Sequence, residues 1–563
     1  MNTCVVMKLV IYVLVLVAGC RGGVDYTCTP GSSPSGVSLP RGDIFLLQNS
    51  SQTLHCLLNP DHDYYVNQGL RAEDLYFWTA AGNLPSRVLN TTAITATFTA
   101  DIAGVTDVQC LARNKTKAVG ICSQRVFSGY LPLTLANFSC ISENWHNLNC
   151  SWAEEDNPVP THYEVSFIEP GASSHPRSCP NPYDNPHLAD ETESEHSCFL
   201  DLTTHPPYRQ TVATYTFYAN GSNPLLPSGR LFPFSVDHFA IVRPGQAVNV
   251  ELTDMSASQL QLTYSVPNEM RTFGPGLLQR VRYKDEWTVR DEWRSVDSWD
   301  YGLHDDDFRI TLSHLKYPFS VYTVEIRMIS GSADKNRTEL WSEPAIVSAK
   351  TAPAAPFRSP KVNQGSFEVL ETGATRTVFV YWQTLRPFEA NGPGFRYVAR
   401  TSGSGRTATL QLNNTYARFD NISVSETRFE ISAVNDVGSA PTPAAVTVPQ
   451  AEFLSGLRPK SLTKIYRGPG RYEVAWRAPA DRATEVVSYT LYWCRPVNRK
   501  DRPYQCDGQM DWKVLEPDRG RRGVQTHDLL LPSEDVYQIA VSANTHTLSS
   551  GKQTVFYLAP IHR

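Results

Sequence analysis

After its first twenty residues, the 563-residue chain contains no apolar run of the ~18 residues that a transmembrane helix requires. The net charge is only −5, so neither nucleic acid nor an acidic membrane surface is an expected partner. Gly-rich phosphate loops, nucleophile elbows and zinc-type histidine pairs are also missing. We therefore expect no enzyme activity, no cofactor, no bound metal and no membrane span in this chain.

The first twenty residues predict a signal peptide. Lys8 precedes the apolar run 9–18, which is too short to span a bilayer, and the small residues Ala18 and Gly19 suit a cleavage site. Residues 17–20 also fit a bacterial lipid-attachment box, a reading that the glycosylation signals disfavour. We expect a secreted protein or one on the extracellular side of the plasma membrane.

The composition after the leader is typical of an oxidising, extracellular compartment. Two of the twelve cysteines lie in the leader, and the ten that remain can all pair. Nine Asn-x-Ser/Thr sequons predict a glycosylated surface. They are Asn49, Asn90, Asn114, Asn137, Asn149, Asn220, Asn336, Asn413 and Asn421.

Four strand-like segments that each end in an aromatic residue form an internal repeat. Trp152, Tyr264, Trp382 and Trp476 are separated by 112, 118 and 94 residues, and each is followed by a nearby proline. This period matches one fibronectin type III domain better than a solenoid repeat. A second aromatic late in the unit, as in Leu315 to Tyr322, is typical of the tyrosine corner of β-sandwiches.

The N-terminal unit differs, because Cys56, Trp78 and Cys110 have the spacing of an immunoglobulin domain in which the Trp packs on the disulfide. The predicted fold class is therefore all-β: tandem β-sandwiches, one immunoglobulin-like domain followed by four fibronectin type III domains. The predicted limits are 1–20 for the signal peptide, 25–131 for the immunoglobulin-like domain, and 132–238, 239–351, 352–449 and 450–563 for the fibronectin domains.

The most specific motif is Cys140, nine residues, then Cys150, Ser151 and Trp152, followed in the same unit by Cys179 and Cys198. On these residues the unit resembles the first half of the cytokine-binding module of class I cytokine receptors. The order of domains resembles the signalling chain of the interleukin-6 receptor family, and within it insect receptors of the Domeless type. The resemblance covers essentially the whole mature chain.

This resemblance implies a Trp-Ser-x-Trp-Ser box in the next unit. Trp341 and Ser342 supply its first half, whereas Pro344 stands where the second Trp would be. In the family, arginines stack on the box, so we expect a shortened ladder of Trp341 between Arg327 and Arg282. The resemblance also implies the disulfide pairs Cys56–Cys110, Cys140–Cys150, Cys179–Cys198 and Cys494–Cys506, and elimination leaves Cys28 to pair with Cys122.

Family members bind their ligand through loops at the bend between the two module domains. Here the resemblance implies a site that contains Tyr208, Arg271, Phe273, Asp334 and Lys335. We expect Tyr208 and Phe273 to be exposed aromatic anchors. Tyr208 also fits a buried tyrosine corner, since it follows Leu202 by six residues, and this alternative stays open.

The predicted function is that of a cytokine receptor ectodomain. The implied partners are a secreted four-helix-bundle cytokine and a second receptor chain in a homodimer or heterodimer, upstream of JAK/STAT signalling when the protein is anchored in a membrane. One alternative is a soluble decoy receptor that antagonises this pathway. Another, of a different class, is a cell-adhesion protein of immunoglobulin and fibronectin units.

Overall fold

The computed structural model describes most of the chain after the leader. The described residues are 25–30, 32–114, 117–168, 176–180, 197–289, 292–296, 307–403, 405–408, 410–412, 415–496, 506–518, 523–532 and 537–554. They form two compact units, one of Met1–Pro244 with Ile329–Trp341 and one of Gly245–Met328 with Ser342–Arg563.

The described residues form ten β-sheets, which fall into five consecutive pairs along the chain. Nearly all strand pairs are antiparallel, and buried residues alternate with exposed ones along most strands. Such alternation is expected where one face of each sheet packs on its partner. The tandem β-sandwich class is confirmed, whereas the domain limits given above stay a prediction.

Helices are few and short. They are α1 (Asp63–Gln68), α2 (Ala451–Leu457) and the 3-10 segments Ala72–Asp74, Phe239–Ile241, Asn268–Thr272, Thr338–Leu340, Pro387–Glu389 and Ala483–Glu485. Within the described ranges, none combines the length and the apolar character needed to cross a bilayer.

The first sandwich packs its sheets around the disulfide between Cys56 and Cys110. Its sheets have the strand orders β1-β3-β7-β6 and β2-β9-β8-β4-β5. The strands are β1 (Gly36–Leu39), β2 (Ile44–Leu47), β3 (Ser51–Leu58), β4 (Leu75–Thr79), β5 (Gly82–Leu84), β6 (Ser86–Asn90), β7 (Ala93–Thr99), β8 (Gly104–Asn114) and β9 (Lys117–Gly129).

The aromatic residue that β4 places in the core of this sandwich is Phe77 and not the predicted Trp78. Phe77 is fully buried, joins the cluster that holds both cysteines and lies opposite Cys110 in the strand register, while Trp78 is 39% exposed. Successive side chains of a strand point to opposite faces of the sheet. The Cys-Trp-Cys spacing therefore located the right strand but placed the core ring one residue too late.

The second sandwich has sheets of order β14-β11-β10-β17 and β13-β12-β15-β16. Cys140 lies opposite Cys150, and Cys150 opposite Cys198, on three adjacent strands. The strands are β10 (Ala136–Glu143), β11 (Leu148–Ala153), β12 (His162–Ile168), β13 (Arg177–Ser178), β14 (Ser197–Leu200), β15 (Thr214–Asn223), β16 (Leu226–Asp237) and β17 (Val242–Arg243).

The third sandwich pairs a sheet of order β18-β19-β22 with one of order β21-β20-β23-β24. Its tyrosine corner is formed as predicted, because the Tyr317 amide donates to the hydroxyl of buried Tyr322 at 2.9 Å. The strands are β18 (Val248–Thr253), β19 (Leu260–Ser265), β20 (Leu277–Asp285), β21 (Arg294–Val296), β22 (Asp307–Leu312), β23 (Val321–Ser330) and β24 (Ala345–Lys350).

The fourth sandwich has sheets of order β25-β26-β29-β28 and β27-β30-β31. Arg376 is fully buried and donates to the backbone carbonyls of Ser423, Ser425 and Pro449 at 2.5 to 2.9 Å. The strands are β25 (Phe367–Thr372), β26 (Thr375–Tyr381), β27 (Arg396–Thr401), β28 (Leu410–Leu412), β29 (Tyr416–Ser423), β30 (Thr427–Val434) and β31 (Ala444–Val448).

The fifth sandwich has sheets of order β32-β33-β36 and β35-β34-β37-β38, around a core that includes Trp476 and Tyr489. Its strands are β32 (Lys460–Gly468), β33 (Arg471–Arg477), β34 (Ser488–Pro496), β35 (Cys506–Leu515), β36 (Val524–Leu530), β37 (Gln538–Asn544) and β38 (Gln553–Thr554).

A buried ion pair joins the fourth and fifth sandwiches within the second unit. The Lys552 ammonium lies 3.2 Å from a carboxylate oxygen of Glu368 and 4.0 Å from the centroid of the Tyr381 ring, and its side chain is only 3% exposed. The Tyr381 hydroxyl donates to the same carboxylate oxygen at 3.1 Å. Around these groups Tyr381 and Tyr416 pack with Tyr492 and Met510 in one apolar cluster.

We predict that Lys552→Met lowers the local unfolding free energy of the fourth and fifth sandwiches by roughly 2–3 kcal/mol, because Glu368 is left as a buried anion without its cation. Hydrogen exchange at β26 and β37 measures this locally, since a multidomain chain does not unfold in one step. The double variant Lys552→Met/Glu368→Met should recover most of the loss. A double variant as unstable as the single one would contradict a role for the ion pair.

Candidate ligand-binding site

The segment 329–341 begins with the last two residues of β23 and belongs to the first compact unit, together with the second sandwich. The hydroxyl of fully buried Ser330 donates to the carbonyl of Phe239 at 2.6 Å. Leu340, at the other end of the segment, is also fully buried. Both ends of the intervening loop are thereby fixed.

Between these ends, the predicted site residues Asp334 and Lys335 lie at the exposed turn of the loop. A carboxylate oxygen of Asp334 accepts from the Asn336 amide at 2.9 Å, and its carbonyl accepts from the Arg337 amide at 3.0 Å. The Trp341 indole N–H donates to the Lys335 carbonyl at 3.0 Å. These bonds hold the backbone of the loop and leave two opposite charges on its surface.

Tyr208 was predicted to be an exposed anchor, and this is wrong. It is only 2% exposed, because its ring packs edge-on against His238 and its hydroxyl bonds to Ser142 at 2.9 Å and to His238 at 2.5 Å. The alternative, a tyrosine corner at Tyr208, is also not formed. Tyr215 takes that place, since its hydroxyl donates to the Arg209 carbonyl at 3.0 Å and accepts from the Arg209 amide.

His238 is the centre of this buried polar chain and directly precedes Phe239, whose carbonyl holds Ser330. Its Nδ1 lies 2.5 Å from the Val212 carbonyl, which can only accept, so Nδ1 carries the hydrogen and Nε2 accepts from Tyr208. Burial lowers the pKa of His238, while the bond to Val212 and the charge of Asp237 oppose part of this shift. A neutral ring therefore fits this environment.

Phe273 was likewise predicted to be exposed, and it is fully buried. It ends the 3-10 segment Asn268–Thr272, where its amide donates to the Met270 carbonyl at 3.2 Å and its carbonyl accepts from the Gly276 amide at 3.0 Å. This turn directs the ring into the third sandwich. Arg271, two residues earlier, is exposed.

The residues of the predicted Trp-Ser box have well-defined partners. Trp341 is 7% exposed and Ser342 fully buried, and the Ser342 hydroxyl accepts from the Met328 amide at 2.9 Å. Arg282 stacks on the ring of Trp293, with 4.7 Å between the guanidinium carbon and the ring centroid. A ladder of Trp341 between Arg327 and Arg282 stays a prediction.

Glu325 binds both Arg282 and Arg327. Arg282 donates to its two carboxylate oxygens at 2.9 and 3.0 Å, and Arg327 donates at 3.0 Å. Burial raises the pKa of Glu325, but the hydrogen bonds and charges of Arg282 and Arg327 outweigh it and hold the pKa below its usual value. The sequence carried a signal for this site, since Glu325 and Arg327 share one face of β23.

Four predicted disulfides form in the structure: Cys28–Cys122, Cys56–Cys110, Cys140–Cys150 and Cys179–Cys198. Cys494 is also disulfide-bonded, while the side chain of its predicted partner, Cys506, lies outside the described residues. Eight of the nine sequon asparagines are described, and each is exposed or half-buried. Asn413 lies outside the described residues, and glycosylation stays a prediction at all nine.

Comparisons with known proteins were consistent with this framework. No family model matches the chain. A cytokine receptor of Drosophila melanogaster is 28% identical over 573 residues, which cover 97% of this chain and 41% of the relative. The human interleukin-6 receptor subunit beta is 24% identical over 489 residues, which cover 82% of this chain and 47% of the relative. The chain is a homologue of cytokine receptors.

This homology confirms the class I cytokine receptor resemblance that the cysteine motif of the second sandwich indicated. The chain spans less than half the length of these two curated relatives. Among solved structures, the chicken CNTN1 FN1-FN3 domains match with 16% identity and a TM-score of 0.28, over 55% of this chain and 98% of that one.

Sequence reasoning missed the contacts that hold the receptor homologue's loop in place. Ser142, His238 and Ser330 carry no motif, and their hydrogen bonds join residues up to 91 positions apart in the chain. Tyr208 and Phe273 were predicted to be exposed anchors, but both side chains are packed in the interior. The exposed members of the predicted site are therefore Arg271, Asp334 and Lys335.

We predict that the second sandwich loses stability as the pH falls below about 6.5, the ordinary pKa of an unfolded histidine. His238 binds its proton more readily in the unfolded chain, so the free energy of unfolding should fall as the pH is lowered from 7 to 5. Hydrogen exchange at β15 across this range measures it. His238→Gln should flatten the pH dependence, and the same change at exposed His146 should not. An unchanged slope in His238→Gln would remove His238 as the cause.

We also predict that Phe273→Ala destabilises the third sandwich by about 3–5 kcal/mol, because it leaves a cavity in the core. The matched control, Phe357→Ala, removes a ring that is 78% exposed and should change stability by less than about 0.5 kcal/mol. Local hydrogen exchange at β19 and β20 compares the two. A stable Phe273→Ala variant with weakened ligand binding would restore the anchor role.

Proposed function

We propose that this chain is the ligand-binding ectodomain of a cytokine receptor and that it binds a four-helix-bundle cytokine through its second and third sandwiches. The observation that carries this proposal is the match of 97% of the chain to a cytokine receptor. The disulfides Cys140–Cys150 and Cys179–Cys198 support it, because they lie in the unit on which the resemblance rests.

The loop from Ser330 to Leu340 is the best-supported contact surface. Its ends are buried against the second sandwich, and its turn exposes Asp334 and Lys335. A loop whose backbone is already held loses little conformational entropy on binding. Two adjacent opposite charges favour a ligand surface of complementary charge and raise the association rate.

The contact is polar rather than built on an aromatic anchor. Tyr208 and Phe273 are buried, so Arg271, Asp334 and Lys335 remain as the exposed side chains of the predicted site. Exposed charges are screened by salt, and we expect the association rate to fall as ionic strength rises. When the receptor is anchored in a membrane, ligand capture here would act upstream of JAK/STAT signalling, within a receptor homodimer or heterodimer.

The charge reversal Asp334→Lys/Lys335→Glu tests the proposal. We expect it to weaken binding of the intact chain to its cytokine by roughly tenfold or more, since each charge then meets one of its own sign. Surface plasmon resonance against recombinant helical-bundle cytokines of the source organism measures the affinity. The same reversal at exposed Asp481 and Lys513 in the fifth sandwich is the matched control and should leave binding unchanged.

Two results would count against the proposal. If no helical-bundle cytokine binds at micromolar concentration, the result favours the alternative that the chain is a cell-adhesion protein. If a cytokine binds and the charge reversal has no more effect than its control, the contact surface lies elsewhere.

A further inference from the structure

The hairpin of β32 and β33 in the fifth sandwich is strongly basic in a chain of net charge −5. Residues 458–482 contain seven Lys and Arg but only two Asp and Glu. The seven cations are Arg458, Lys460, Lys464, Arg467, Arg471, Arg477 and Arg482. Such a local concentration of one sign marks a surface that attracts the opposite charge.

Four of these seven cations have partners within the protein. Three form ion pairs at 2.6 to 3.3 Å: Arg458 with Glu371, Arg467 with Glu473, and Arg482 with Glu485. The Lys464 ammonium turns inward and donates to the Tyr537 carbonyl at 2.5 Å. The other three, Lys460, Arg471 and Arg477, are exposed and form no ion pair with a residue of the described ranges.

The three exposed cations Lys460, Arg471 and Arg477 lie along one face of the hairpin of β32 and β33. Arg471 and Arg477 share that face of β33, because they alternate with buried Tyr472 and Trp476, and their separation of six positions spans roughly 20 Å. Lys460 stands directly opposite Arg477 across the hairpin. Like charges in that position repel each other, and an anion between them would remove the repulsion.

Carboxylates on the same face are few. Glu473 is already paired with Arg467. Asp528 lies opposite Glu473, two residues from Leu530, which faces Arg471, and four residues from Val524, which faces Arg477. Residues 519–522 read Arg-Gly-Arg-Arg but lie outside the described residues, and the surface is defined without them. Residues 450–554 contain no sequon, whereas nine lie earlier in the chain, so no predicted glycan of this sandwich covers the face.

We propose that Lys460, Arg471 and Arg477 form a binding surface for an extended sulfated polysaccharide of the glycosaminoglycan class. Cations spread along a strand suit an extended polyanion, whereas a small anion is bound by groups that converge. Guanidinium groups bind sulfate-like oxyanions through paired N–H donors. The inference rests on the proposed function only in placing the chain outside the cell, where these polysaccharides occur.

Charges on β32 also have a simpler explanation, because this strand is at the edge of its sheet and edge charges oppose pairing with another chain. That explanation predicts self-association when the charges are removed and no affinity for polysaccharide. The two explanations are therefore separable by experiment.

The test uses the intact chain on a heparin-coated sensor surface at about 0.15 M ionic strength. We expect Lys460→Gln/Arg471→Gln/Arg477→Gln to weaken binding by roughly tenfold and to reduce its salt dependence. The matched control removes three exposed arginines from strands of other sandwiches, Arg87→Gln/Arg309→Gln/Arg428→Gln, and should bind like the unchanged chain. Calorimetry and light scattering check that both variants remain folded and keep the oligomeric state of the unchanged chain.

Three results would overturn the proposal: no binding of the unchanged chain to heparin, an equal loss in both variants, or self-association of the first variant without loss of heparin affinity. Equally tight binding to single-stranded DNA of the same length would overturn the assignment to a polysaccharide. Cytokine binding by the first variant should stay unchanged, so a failure here is distinct from a failure of the proposed function.

Discussion

The need to pair every charge that enters the low-dielectric interior shapes the third, fourth and fifth sandwiches of this chain. A buried charge without a partner costs several kcal/mol, and three sites show how the sandwiches meet this constraint. Glu325 binds two arginines, Lys552 is matched by Glu368, and Arg376 donates to backbone carbonyls. In each case at least one partner comes from a different strand or loop, so the pairing also fixes how these segments lie together.

The candidate site meets the same requirement with uncharged polar groups, each of which needs a hydrogen-bond partner when it is buried. Burying Tyr208 and His238 requires that their polar atoms be bonded, and the resulting chain runs from Ser142 to the Val212 carbonyl. The next residue, Phe239, offers the carbonyl that holds Ser330. The exposed charges of Asp334 and Lys335 are thus presented by a loop whose fixed end adjoins a packed polar interior.

Much of the architecture could be predicted from the sequence, because spacing between cysteines and aromatic residues reports on strands that face each other. The sandwich class and the corner at Tyr322 follow from such spacing, whereas the four disulfides followed from the family resemblance and, for Cys28–Cys122, from elimination. The choice of Trp78 over Phe77 failed because a shift of one residue along a strand changes the face. The predictions that Tyr208 and Phe273 are exposed failed because the burial of an aromatic residue in a loop depends on long-range packing, which one sequence does not show.

We propose that a helical cytokine contacts the chain at the loop between Ser330 and Leu340. Hydrogen–deuterium exchange of the intact chain, with and without a bound helical-bundle cytokine, tests it most directly. We expect the backbone amides of residues 331–339 to exchange more slowly when the cytokine is bound, and those of the fifth sandwich to exchange at an unchanged rate. Protection confined to residues outside the second and third sandwiches would contradict it.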